Sequence, residues 1–168
     1  MLDASGAASV IRIARHRWFN CMFTFGREHE KRCAAHYLRD PSQIGLIADV
    51  VDAVHDVLEG KCRVDDVRQT CSRAFCDGGS GVWEQTALWM TKLDREHPLL
   101  LSDWRTLAAN KKATVRFRVA CCLNDMPQSL AKEIGELLAN DRSKKVREMA
   151  VGRLEEIADG ENVGPESR

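Results

Sequence analysis

His29, Cys33 and His36 recur at i, i+4 and i+7, the spacing that places three metal-ligating side chains on one face of a helix. Zinc accepts such donors, but a site needs a fourth ligand or an open position with supporting hydrogen bonds, and nothing nearby signals either. "HEKRCAAHY" reads more simply as a partly buried helix, so no metal and no cofactor is expected. Asp49, Asp52, His55, Asp56 and Glu59 form a second constellation on one helical segment. In a cleft that raised a carboxyl pKa they could supply a general acid or base. As a solvated acidic face, the more economical reading, they would attract a basic partner. "DGGSG" (77–81) ahead of a helix could cradle a phosphate on main-chain N–H groups, yet it lacks the Lys-Ser/Thr that makes a phosphate loop specific. It is read as a flexible connection with a cap at Ser80. Cys71 and Cys76 lie just ahead of it without a His/Asn partner pattern, so no nucleophile triad can be built and catalysis is not expected.

These residues need elements to position them, and the totals bound what those elements are. A chain of 168 residues, 44% hydrophobic and 30% charged, can bury a core as one globular domain. Arginines at 12, 15 and 17 interrupt the first apolar segment, and no stretch approaches the roughly 20 apolar residues of a membrane span. A cytosolic chain with no membrane partner is expected. The same arginines also suit a basic presequence, a reading outweighed by the apolar residues between them, which packing needs. Seven cysteines, an odd number without CxxC spacing, read as small core hydrophobes in a reducing compartment. Zero net charge conceals blocks: +4 over 1–39, −5 over 40–66, +6 over 104–154 and −4 over 155–168. Such patches steer partners and leave the fold undetermined.

"VRFRV" (115–119) alternates like a half-buried strand, but a shift of 31 residues lays 107–123 on 138–154. Leu107 falls on Leu138, Val115 on Val146, Arg116 on Arg147 and Leu123 on Leu154. The second copy is a helix by its stripe of Val146, Ala150, Leu154 and Ile157, so the first copy is read as a helix too. Further helices are predicted from Leu130, Ile134 and Leu138 after Pro127, from Leu100, Trp104 and Leu107 after Pro98, and over 82–97. Two more are predicted from about Val64 to Phe75 and from Ile44 through Leu58 to Gly60, the latter preceded by a helix ending near Arg39-Asp40. Residues 8–25 are expected to form an N-terminal capping helix. The 82–97 helix is apolar nearly all round and belongs at the centre, with Trp83, Trp89 and Trp104 in the core unless one reaches a binding surface as a hot spot.

The stretch 141–154, D-x4-V-R-x-x-A-x-x-x-L, resembles the second helix of a HEAT unit with its preceding turn Asp and its Arg after the Val; 110–123 is a degenerate version with Asn110 in place of Asp. The likeness is good over 100–157, fair over 82–97 and suggestive over 28–59. It implies an all-α fold: a right-handed stack of antiparallel helix pairs, about three to four repeats with an N-terminal capping helix, in one domain over 1–158, then a flexible acidic tail over 159–168. It also implies that Asp141 and Arg147 brace the repeats. A non-enzymatic protein-binding module follows, in its concrete version a small bacterial immunity protein that occludes a toxin domain. Its candidate contact residues are Asp49, Asp52, Asp56, Glu59, Trp104, Arg116, Arg118 and Arg147. The alternative is nucleic-acid binding, since the alkylpurine DNA glycosylases also look like HEAT stacks and 104–154 is basic. That family's chain is longer, and its catalytic Asp has no matching position here.

Overall fold

A computed structural model describes residues 25–36, 38–96 and 100–162; the capping helix expected over 8–25 and the end of the tail lie almost wholly outside them. Among the described residues the secondary structure is helical throughout, with no strand. The α-helices are α1 (Arg27–His36), α2 (Ile44–Leu58), α3 (Val64–Asp77), α4 (Val82–Glu96), α5 (Leu101–Ala108), α6 (Ala113–Cys121), α7 (Gln128–Ala139) and α8 (Lys144–Asn162). Single 3-10 turns follow α1 at Pro41–Gln43 and α6 at Leu123–Asp125.

Local chemistry sets the boundaries. Asp40 accepts Ser42 N–H at 3.0 Å and Pro41 opens the 3-10 turn, so the chain reverses where the sequence marks a proline break. Glu28 and Glu30 in the first turn of α1 and His36 in its last complement the helix dipole. The Asp66 carboxylate accepts Arg63 N–H at 3.1 Å at the start of α3. Gly60, with φ of 72°, supplies the left-handed residue that ends α2.

Burial then follows the predicted stripes. In α2, Ile47, Val50, Val51 and Val54 are wholly inside. In α4, Val82, Thr86, Trp89, Met90 and Leu93 are buried on nearly every side, as an all-round apolar helix requires, and the hydroxyls of Thr86 and Thr91 are satisfied by the carbonyls of Val82 and Ala87. Each helix packs on a neighbour in sequence, and several also pack two elements along: α2 on α4, α3 on α5, α5 on α7 and, most extensively, α6 on α8.

The ambiguous "VRFRV" is helical, with Val115, Arg116, Val119 and Ala120 buried. Three boundaries differ from expectation. The first helix stops at His36, short of Arg39-Asp40. The third runs two residues past Phe75, and the last continues to Asn162, so 159–162 are helix rather than the start of a tail. "DGGSG" is a packed corner, not a loose connection: Gly78 and Gly81 are buried, and Gly79 N–H donates to Gln43 Oε1 at 2.7 Å. A Cβ at Gly78 would stand 2.5 Å from the Ala74 carbonyl oxygen and 2.4 Å from Val82 Cγ1, so only glycine fits there. Ser80 directs its hydroxyl at Glu84 Oε1.

Candidate functional site

The acidic residues of α2 meet cations of the chain itself. Arg27 reaches across from α1 to Asp56 at 2.6 Å, Glu59 at 3.3 Å and Asp52 at 3.5 Å, while Lys31 holds Asp52 at 2.7 Å. Lys61 also pairs with Glu59, and Arg73 of α3 takes Asp49 at 2.6 Å on the other flank. The pairing is mutual: Asp56 raises the Arg27 pKa, Asp52 raises that of Lys31, and Lys61 lowers that of Glu59. The four carboxylates are thus shared among cations of the two neighbouring helices and Lys61, and locally compensated, which reduces the field they offer a partner.

Beneath them, His55 Nε2 lies 2.5 Å from Glu30 Oε2. Glu30 is only 4% exposed, and its second oxygen has no hydrogen-bond partner. Its burial was not legible, because a Glu in the polar run of α1 looks solvated until α2 covers it. His29, Cys33 and His36 do share α1 as predicted, with both histidines exposed. Among the described residues no group of three His, Cys, Asp or Glu is placed to hold a metal.

Trp104 is wholly buried, edge-on to Phe75 at 5.7 Å, and its Nε1–H donates to Asp94. It serves the core and is not open to a partner. Arg118 is half-buried: its guanidinium donates to the Phe75 and Cys76 carbonyls at 2.5 and 3.1 Å, closing the C-terminus of α3, and stands 5.7 Å from the centre of the Trp83 ring. Burial lowers its pKa. Arg116 is buried too, and its forked pair with Asp141, 2.5 and 2.9 Å, joins α6 to the turn before α8. Asp141 is accordingly held below the usual carboxylate range, chiefly by Arg116. The brace is therefore Asp141 with Arg116; Arg147 reaches only the Asp141 main-chain oxygen, at 2.6 Å.

The 31-residue register reappears in hydrogen bonds. Asn110 Oδ1 accepts Lys112 N–H at 2.9 Å, and Asp141 Oδ1 accepts Ser143 N–H at 2.7 Å. Arg116 donates to the Asn110 carbonyl at 2.7 Å, as Arg147 does to that of Asp141. Two turns with the same internal bonding thus precede α6 and α8, and Arg142 of the second donates to the Lys111 carbonyl of the first at 3.0 Å. Lys111, Lys112, Arg142, Lys144 and Lys145 are all exposed on these joined turns and the first residues of α8, with Asp77 at 3.5 Å from Lys112, Glu148 at 3.5 Å from Lys144 and Asp141 near Arg142 as their anionic neighbours among the described residues. This ridge gathers five of the eleven Lys and Arg residues of the 104–154 block.

Burial pushes the Cys71 thiol up to about 12, and raises those of Cys62 and Cys76, leaving little thiolate at neutral pH. Asp94, missed in the sequence because it continues an apolar stripe, is buried behind Leu100 and Trp104. No helix among the described residues is long and apolar enough to cross a membrane. Comparison of the chain with protein-family models, with curated proteins and with solved structures returns no match.

Proposed function

We propose that the chain is a non-enzymatic protein-binding module, a HEAT-like stack of antiparallel helix pairs that presents its inter-helix turns to an acidic partner. The observation that carries this reading is the ridge of Lys111, Lys112, Arg142, Lys144 and Lys145, exposed on two turns that Arg142 ties together. Cations held on braced turns steer an anionic surface into one orientation at little ordering cost. The stack then works by occlusion, which needs complementarity and no reacting group. In its concrete version the protein is a small immunity or inhibitor protein that covers a toxin domain. The acidic residues of α2 take the lesser part here, because Arg27, Lys31 and Arg73 already compensate them.

The same ridge favours a second reading, nucleic-acid binding, since clustered exposed Lys and Arg also suit a phosphate backbone. Affinity capture of the full chain from its native extract, with and without nuclease and at two salt concentrations, separates them. A discrete acidic protein retained after nuclease, and lost from a Lys111→Glu/Lys145→Glu variant, supports the module. Recovery of nucleic acid alone, with salt-sensitive duplex retention, overturns it in favour of the second reading.

A further inference from the structure

The face that α6 buries has an uncovered counterpart on α8. On α6, Arg116 and Ala120, four apart and so on one face, are both buried, α8 packs on this helix, and Asp141 in the turn before α8 clasps the guanidinium. The residues 31 further on are Arg147 and Val151. Arg147 is partly exposed and uses one nitrogen on the Asp141 carbonyl, and Val151 is 41% exposed. One turn beyond, Glu155 is exposed and forms no ion pair among the described residues. The last helix therefore carries a docking pattern, cation, apolar centre and anion, on which no further helix of the described residues lies.

The symmetry of that pattern names the occupant. Arg147 and Glu155 stand four residues either side of Val151, about 6 Å along the helix axis in each direction. Two α8 helices packed antiparallel with Val151 against Val151 bring Arg147 of each copy to Glu155 of the other. The geometry points to a second copy of this chain, joined through α8 about a twofold axis. Such an interface is isologous, one patch serving both subunits, and forms two equivalent ion pairs around an apolar contact. A single helix face buries less area than a standard interface, so the dimer is weak and dissociates on dilution. It leaves the basic turn ridge available and does not depend on what that ridge binds.

Sedimentation velocity of the full chain, from micromolar to submillimolar concentration, reads the association directly. The wild type shifts from monomer to dimer over that range. Arg147→Glu or Glu155→Arg sets like charges against each other twice and weakens association about tenfold. The combined Arg147→Glu/Glu155→Arg exchange restores it, because each pair re-forms with its signs reversed. Val151→Glu, at a solvent-facing position, abolishes it while circular dichroism stays helical. A chain that remains monomeric throughout, a dimer indifferent to the single reversals, or a double exchange that fails to recover association overturns the proposal.

Discussion

Trp104 Nε1–H donates to Asp94 Oδ2 at 3.2 Å inside the core, while Leu100 N–H donates to the other oxygen at 2.6 Å, so one carboxylate ties the end of α4 to the start of α5. Burial outweighs both bonds and raises the Asp94 pKa to about 6. A carboxyl raised on folding stabilises the native state below its unfolded value near 4, and this contribution is lost as pH rises through about 6. At 1.36 kcal/mol per pH unit of difference the swing is about 3 kcal/mol. Asp94→Asn has no such titration. Urea unfolding from pH 4 to 7 is therefore expected to show the variant gaining on the wild type by roughly that amount, whatever its fixed penalty. A constant difference across the range contradicts the assignment.

Removing only the indole donor separates the hydrogen bond from the burial. Trp104→Phe leaves Asp94 Oδ2 unpartnered beside a similar ring. The expected cost is about 1–3 kcal/mol for the orphaned acceptor together with the lost ring volume. The Asp94 carboxyl resonance should titrate at still higher pH than in the wild type, as followed by NMR.

The corner at Gly78 makes a steric prediction. A methyl group there meets the Ala74 carbonyl and Val82, and neither can yield without moving α3 or α4. Gly78→Ala is expected to destabilise by about 1–3 kcal/mol in denaturant unfolding, whereas Gly152→Ala, with open space around its Cβ, gains a few tenths to about 1 kcal/mol from helix propensity.

Sequence pattern puts Arg118 among the contact residues, whereas its guanidinium closes the end of α3. Arg118→Ala removes its bonds to the Phe75 and Cys76 carbonyls. A loss of about 2 kcal/mol in unfolding free energy is expected, with partner capture by the folded variant unchanged. Loss of capture without loss of stability would return Arg118 to the binding surface.

Much of the fold was legible because apolar periodicity is local. The stripe of Ile47, Val50, Val51 and Val54 and the shift of 31 residues between Val115 and Val146 each lie within a short window, and α2, α6 and α8 follow them. The candidate site was less legible, because its charges are paired across helices. Nothing near Asp56 in sequence reveals that Arg27, 29 residues away, will lie 2.6 Å from it. Nor does the repeated Val-Arg pattern disclose that Arg116 is sealed inside while Arg147 is left partly open. That difference depends on α8 and its turn packing on α6, with Asp141 over Arg116, whereas no helix among the described residues follows α8 in the chain. Glycine in "DGGSG" signalled freedom, whereas tertiary packing uses it for close approach.

Arg116 and Asp141 join α6 to the turn before α8, and a double-mutant cycle on them tests most directly the proposed stacking of the pair α5–α6 on the pair α7–α8. Urea unfolding of the wild type, Arg116→Ala, Asp141→Ala and the double variant gives the coupling free energy. Each single variant should lose about 3–5 kcal/mol, since each strands a buried charge, and the double variant should lose clearly less than their sum, with a coupling of about 2 kcal/mol or more. Losses that add to within about 0.5 kcal/mol would mean the residues do not meet, and would contradict the stacked arrangement.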